Sequence, residues 1–191
     1  MLARLRDLVF PPQCAACGEV GSGLCSVCMP PSPALSRRLP HLDVRALGEY
    51  GGALRASILA VKDGRRDVAR ALGERLSALL QPEAILVPVP TAAHRIRSRG
   101  LDGVGAIADA AGNTHVNPLL RFASEDAQRG RSRAQRVAAR GRFSVAEGAR
   151  ACGHLVLIDD VCTTGATLED CARALRESGL SVDAAVVVAL A

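Results

Sequence analysis

Aromatic side chains are almost absent from this 191-residue chain: Tyr50, Phe10, Phe122 and Phe143 are the full complement, and there is no Trp. Any function built on stacking bases against ring faces is disfavoured by that scarcity, and the core must come from Val, Leu, Ile and Ala. Lysine is scarcer still. Of 24 basic residues, Lys62 alone is not Arg; guanidinium suits bidentate phosphate contacts, although a GC-rich coding bias would enrich Arg equally well. Long apolar runs are missing too. The longest, Val182 to Ala191, contains Asp183 and falls far short of the roughly 18–20 residues of a membrane span. The opening Met1-Leu-Ala-Arg-Leu-Arg-Asp7 breaks its apolar residues with charge and holds no signal-peptide core. The expectation is a cytoplasmic protein without membrane insertion.

With 49% hydrophobic and 23% charged residues, the chain has the material for a packed core, which argues against wholesale disorder. Its length suits one domain of ordinary size and a small appendage. The formal net charge of +5 is local: residues 121–150 carry Arg121, Arg129, Arg131, Arg133, Arg136, Arg140, Arg142 and Arg150 against Glu125, Asp126 and Glu147, and the rest of the chain balances to zero. That describes a basic loop facing an anion rather than a uniformly basic protein.

Four of the seven cysteines fall in Cys14-Ala-Ala-Cys17 and Cys25-Ser-Val-Cys28. A C-x2-C turn aims two thiolates at one point, and two such turns complete the tetrahedral sulfur site that zinc prefers. A segment with so little apolar material would draw its folding free energy from the metal, and four ligands leave no open position, so the site is structural. A redox-labile pair of disulfides and four free thiols are the alternatives. Met29-Pro-Pro-Ser-Pro-Ala34 and the residues up to Pro40 then read as a stiff linker. We divide the chain into a ribbon and linker over 1–40 and a second domain over 41–191.

Beyond the linker, β-branched runs alternate with helical periodicity. Strands are expected at Val44–Tyr50, Ala84–Pro88, Leu119–Phe122, His154–Ile158 and Val182–Leu190. Helices are expected at Ala53–Val61, Asp67–Leu80, Leu101–Ala111 and Gly165–Ser178. Strands apolar on both faces, alternating with helices, call for a doubly wound α/β fold with a parallel sheet.

The most specific run is Leu155-Val-Leu-Ile-Asp159-Asp160-Val-Cys-Thr163-Thr164-Gly165-Ala166-Thr167, a strand passing into a helix N-terminus, where open α/β sheets bind ligands. Residues Thr163 to Thr167 offer successive backbone N–H groups, three hydroxyls and the positive end of a helix dipole, a nest for a phosphate monoester. It is not a Walker loop, having no G-x4-G-K-[ST] pattern. The adjacent carboxylates would repel a second phosphate and suit neutral hydroxyls or a hydrated divalent cation. A phosphate at one end with vicinal hydroxyls nearby describes a ribose 5-phosphate; a plain capped helix is the bland alternative.

That run resembles the phosphoribosyl pyrophosphate (PRPP) motif of type I phosphoribosyltransferases. Leu8-Val-Phe-Pro-Pro-Gln-Cys14, Tyr50-Gly-Gly-Ala-Leu54, Val61-Lys62-Asp-Gly64, Val87-Pro-Val-Pro90, Arg95-Ile-Arg97-Ser-Arg99-Gly100 and Gln128-Arg-Gly-Arg-Ser132-Arg133 follow in the order of the ComF family. Its members are competence-associated proteins that fuse a zinc ribbon to a phosphoribosyltransferase-like domain. The resemblance implies that Asp159 and Asp160 form the catalytic pair on the ribose hydroxyls and that Thr163, Thr164, Gly165, Ala166 and Thr167 hold the 5′-phosphate. Val87 to Pro90 would start the pyrophosphate loop, with scope for an unusual X-Pro geometry. In an extended segment Arg95, Arg97 and Arg99 would share one side and face pyrophosphate oxygens. Arg129, Arg131, Ser132, Arg133 and Arg136 match the flexible loop that closes over the site. Where many relatives read Arg-Gly-Phe-Asn-Gln, this chain has Arg99-Gly-Leu-Asp102-Gly103, which removes an aromatic ring and two amides from beside the site.

Two functional expectations follow. One is an enzyme that transfers ribose 5-phosphate from PRPP with Mg2+, the zinc being structural. The other is a non-catalytic protein of DNA handling in natural competence, whose ribbon docks a helicase and whose arginines bind single-stranded DNA through phosphates, with salt-sensitive affinity. His94 reads as a bystander, and Cys162 and Cys171 read as packing residues, although a helix N-terminus would favour the Cys162 thiolate.

Overall fold

A computed structural model describes residues 11–121, 142–149 and 153–191. The flexible-loop residues Arg129, Arg131, Ser132, Arg133 and Arg136 lie outside the described residues.

Seven strands and five α-helices are described: β1 (Leu35–Arg38), β2 (Asp43–Glu49), α1 (Gly52–Lys62), α2 (Arg66–Leu76), β3 (Ile85–Pro88), α3 (Ala93–Arg99), α4 (Gly103–Ala111), β4 (Leu119–Arg121), β5 (Phe143–Val145), β6 (Leu155–Cys162), α5 (Ala166–Glu177) and β7 (Val182–Leu190). Five of the strands form one sheet in the order β1-β2-β7-β6-β3. All its pairings are parallel except the antiparallel edge strand β1 on β2. Strands β4 and β5 form a separate antiparallel pair.

The apolar runs that predicted a doubly covered sheet do cover both faces. Along β6, Val156 and Ile158 join the cluster built by α1, α2 and α4, while Leu155 and Leu157 join the cluster around Leu168, Cys171 and Leu175 of α5. Val186 and Val188 of β7 face the first cluster and Ala185 and Val187 the second. This is the period-2 alternation of a strand with no solvent face.

Three expectations need correction. The stretch read as linker contains β1, whose Ser36 and Arg37 pair with Arg45 and Val44. Prolines at 30, 31 and 33 stop before the pairing begins, so backbone N–H groups are available to the ladder from Leu35 onward. The helix expected to reach Leu80 ends at Leu76 and tightens into a 3-10 turn over Ser77–Leu79. There the Ser77 hydroxyl donates to the Glu74 carbonyl at 2.8 Å, the local bonding that competes with helix continuation. Lastly, the segment holding Arg95, Arg97 and Arg99 is helical, closed by Gly100 in the left-handed region at φ +66.

The ribbon is not a free appendage. Gln13 and Val20 form an antiparallel bridge, and Cys14 and Leu24, 3% and 0% exposed, enter the same core cluster as Val68 and Leu72 of α2. Arg75 donates to the Leu24 carbonyl at 2.7 Å, and Arg65 to the Gln13 carbonyl. At Gly23 the ribbon backbone lies so close to α2 that a Cβ would stand 2.6 Å from the Asp67 carbonyl oxygen.

Candidate functional site

A cleft of about 280 Å³ opens at the carboxyl ends of β3 and β6. Its lining includes Lys62 of α1, Pro90, Thr91, Arg95 and Arg99, Arg121 of β4, Arg142, Asp159, Asp160 and Thr167. Strand β6 extends further than expected, with Asp159 opposite Val187 and Cys162 opposite Leu190. The two carboxylates therefore belong to a strand, and successive strand side chains take opposite faces. Asp160 turns to the α1 side, where the Lys62 ammonium meets it at 3.0 Å. Asp159 lies on the other side, its carboxylate accepting the Asp160 backbone N–H at 2.8 Å.

Burial, followed by the Asp160 charge, raises the Asp159 carboxyl to about 7 against the pull of Lys62 and Arg121. Burial also lowers Arg121, helped by the like charges of Arg142 and Arg95. The cleft thus holds an electropositive wall on one side and a carboxyl group near its titration point on the other.

The phosphate-nest loop is short. Thr163, Thr164 and Ala166 are exposed, and Thr164 Oγ1 accepts from the Ala166 N–H at 3.4 Å. Gly165 sits at φ +81, a conformation that favours glycine, and a Cβ there would come 2.4 Å from Leu39 Cδ1 and displace that side chain. Arg142 donates to Thr167 Oγ1 at 3.0 Å. From the edge strand, Arg37 donates to the Thr163 carbonyl and, at 3.0 Å, to the Ala191 carbonyl.

Helix geometry redistributes the expected arginines. Residues four apart share a helix face while those two apart do not, so Arg95 and Arg99 line the cleft and exposed Arg97 does not. His94 is also exposed and outside the lining. Among the described residues all peptide bonds are trans, so Val87 to Pro90 carries no unusual X-Pro geometry. Burial pushes the Cys162 and Cys171 thiols up, which opposes the thiolate character a helix N-terminus would give Cys162.

Several contributors were not singled out from sequence. Arg121 and Arg142 stood only among eight arginines of a basic stretch, and Lys62 only as a motif letter. Asp102 N-caps α4 through the Gly105 N–H at 3.4 Å and accepts from the Thr91 hydroxyl at 3.1 Å. It anchors the turn after β3.

In the ribbon, the sulfurs of Cys14, Cys17, Cys25 and Cys28 all lie within 4.8 Å of one another, and Cys17 and Cys25 are 3.8 Å apart. A tetrahedral zinc with Zn–S bonds of about 2.3 Å places its sulfurs about 3.8 Å apart, so the four residues fit that ion. Backbone N–H groups of Cys25 and Cys28 point at the Cys14 and Cys25 sulfurs at 3.5 and 3.4 Å. Burial works against the Cys14 thiolate, but N–H donors from Cys25, Ala16 and Cys17 outweigh it and bring the thiol to about 6. Crowding by Cys17 and Cys25 pushes Cys28 up to about 12. The four closely spaced sulfurs could hold one structural dication.

Compared with known proteins, the chain is 32% identical to the Bacillus subtilis competence protein ComFC over 95 residues, covering 50% of this chain and 39% of that protein. It is 29% identical to the Streptococcus pneumoniae ComFC over 140 residues, covering 71% of this chain and 62% of that one. Over these stretches the chain is similar to the ComFC competence proteins. These matches span less than two thirds of either ComFC protein, and no family model matches the chain. Solved structures similar to the chain include an allosteric regulatory enzyme of purine biosynthesis, 22% identical, with a TM-score of 0.44 over 63% of this chain and 26% of that one. A phosphoribosyltransferase from Corynebacterium diphtheriae is 16% identical, with a TM-score of 0.35 over 70% of this chain and 66% of that one. The chain has an α/β architecture with a mostly parallel sheet, preceded by a four-cysteine cluster.

Proposed function

We propose that this chain is a ComF-family protein that binds PRPP with Mg2+ in the cleft and acts in cytoplasmic handling of DNA during natural competence. The observation that carries the reading is the set of groups that meet at the carboxyl end of β6. The Thr163 to Thr167 loop, with Arg142 on the Thr167 hydroxyl, suits a 5′-phosphate, Asp159 and Asp160 suit the ribose hydroxyls, and Arg95 and Arg121 suit a pyrophosphate. Mg2+ bound with the ligand would supply charge neutralisation on the pyrophosphate.

If the site is catalytic, the ribose C1–O bond breaks with its electron pair leaving on pyrophosphate, and the acceptor's lone pair forms the new bond at C1. Arg95 and Arg121 take up the charge developing on the leaving group, and the carboxylates face the sugar as it becomes cationic. Titration calorimetry of Mg2+ and PRPP tests the reading. Saturable binding that falls at least about tenfold in Asp160→Asn is expected, a loss of about 1.4 kcal/mol; no heat at millimolar PRPP would refute it.

A second reading has its own observation. Arg97 and His94 are turned outward on α3, away from the cleft, leaving cationic surface for the backbone of single-stranded DNA and for a competence helicase complex. Anisotropy with labelled single-stranded DNA is expected to show binding that weakens steeply with salt. Retention of full affinity in Arg97→Ala together with the 129–136 arginine substitutions would exclude that surface. We further infer a structural Zn2+ in the four-cysteine cluster, which metal analysis of purified protein tests directly.

A further inference from the structure

A second, smaller cavity of about 30 Å³ branches from the cleft between α1 and α4. Its rim is Lys62, Thr91, Arg99 and Asp160, all shared with the main cleft, and its wall is apolar, from Ile58, Val61 and Val104. Gly103 packs tightly against this wall: a Cβ there would stand 2.7 Å from Val61 Cγ1.

Size and charge together restrict what can enter. Room for one water takes about 10–15 Å³ of such volume, so the cavity admits about two heavy atoms beyond the rim. That is several times too little for a purine or pyrimidine ring and too little for a tetrahedral phosphate, but it suits the two oxygens of a carboxylate. The rim holds two cations, and Asp160 is already engaged by Lys62 at 3.0 Å. Among the described residues no carboxylate pairs with Arg99. A half-buried guanidinium beside an apolar wall gains most from an anion that can meet it with two parallel hydrogen bonds.

We propose that this side cavity is the acceptor subsite and that it receives a carboxylate of a compact acceptor, held by Arg99 with Lys62 as the second cation. The proposal rests on the reading of the main cleft as the PRPP site, because that reading makes a cavity beside the ribose-facing Asp160 the acceptor's place. It names the acceptor class as a small carboxylic acid. Lys62 has a dual position: it neutralises Asp160 before the acceptor enters and shares its charge with the acceptor afterwards.

The test uses zinc-loaded full chain in saturating inorganic pyrophosphate, which fills the Arg95 and Arg121 end, with acetate as the probe and acetamide as its neutral isostere. Calorimetry or chemical-shift titration is expected to show saturable acetate binding. The affinity should weaken at least about tenfold in Arg99→Met, with partial recovery in Arg99→Lys. It should be lost in Gly103→Ala and unchanged in Arg55→Met, an exposed arginine of α1. Acetamide binding as tight as acetate, acetate binding indifferent to Arg99→Met and Gly103→Ala, or no acetate binding to a protein that does bind PRPP would each overturn the subsite. PRPP titrated separately distinguishes the two readings. Arg99-dependent acetate binding in a protein that ignores PRPP would refute the cleft reading and, with it, the assignment to an acceptor, while the carboxylate site itself would remain measured.

Discussion

Replacing Gly23 by alanine probes how firmly the cysteine ribbon is seated. The added Cβ would lie 2.6 Å from the carbonyl oxygen of Asp67 and 2.7 Å from the Val68 Cα. Both are backbone atoms of α2, which cannot rotate out of the way as the end of a long side chain can. Overpacking of this kind costs about 1–3 kcal/mol. If the ribbon lifts to relieve it, the 2.7 Å bond from Arg75 to the Leu24 carbonyl is lost as well, adding about 1.5–3 kcal/mol for a charged donor. The two together come to about 2.5–6 kcal/mol, and at about 2–4 °C per kcal/mol for a chain of this size the melting temperature should fall by roughly 5–24 °C. Thermal unfolding followed by circular dichroism measures it, with zinc release to a chromogenic chelator as a parallel readout. Val27→Ser is the reference, since Val27 is 88% exposed and should shift stability by no more than about 0.5 kcal/mol. A Gly23→Ala protein that melts within about 1 °C of wild type and releases zinc no faster would show that the ribbon is not docked on α2.

Other perturbations separate the remaining claims. Gly165→Ala forces a Cβ into both an unfavourable φ and the Leu39 side chain; PRPP affinity is expected to fall at least about tenfold with a drop in melting temperature, and an unchanged calorimetric titration would contradict the assigned phosphate loop. Asp159, raised to about 7 in the fold, is ionised at a cost that grows as pH climbs from the ordinary carboxylate range through that value. Asp159→Asn should therefore raise the melting temperature by a few degrees at about pH 8 and by far less at about pH 5; an equal shift at both pH values would refute the burial argument. Cys28→Ser should abolish stoichiometric zinc and lower the melting temperature, and undiminished zinc by metal analysis would exclude Cys28 as a ligand.

Much of the fold was legible because strands apolar on both faces leave one architecture open. His154 to Ile158 and Val182 to Leu190 read as buried parallel strands and are adjacent in the sheet. The parts that escaped were decided by partners distant in sequence. Strand β6 continues through Asp159 and Asp160 because β7 offers a ladder there, and no local propensity announces that. The alternating arginines of residues 95–99 fit an extended segment as well as a helix, and a residue pattern of five cannot choose. At the site, Thr163 to Thr167 and the carboxylate pair were visible as a contiguous motif. Lys62, Arg121 and Arg142 converge from three separate elements, so only the fold brings them together. Arg37 was hidden for the same reason, since its acceptors lie more than a hundred residues away.

That last contact bears on any attempt to separate the two parts of the molecule. Cutting the chain at residue 41, where composition changes, would remove β1 along with the ribbon. The Thr163 carbonyl would lose its guanidinium donor from Arg37, and β2 would become an open edge with unpaired backbone groups, a template for sheet-to-sheet aggregation. A cut before Leu35 would keep the strand and its arginine, so a soluble ribbon-free protein must begin upstream of the composition change.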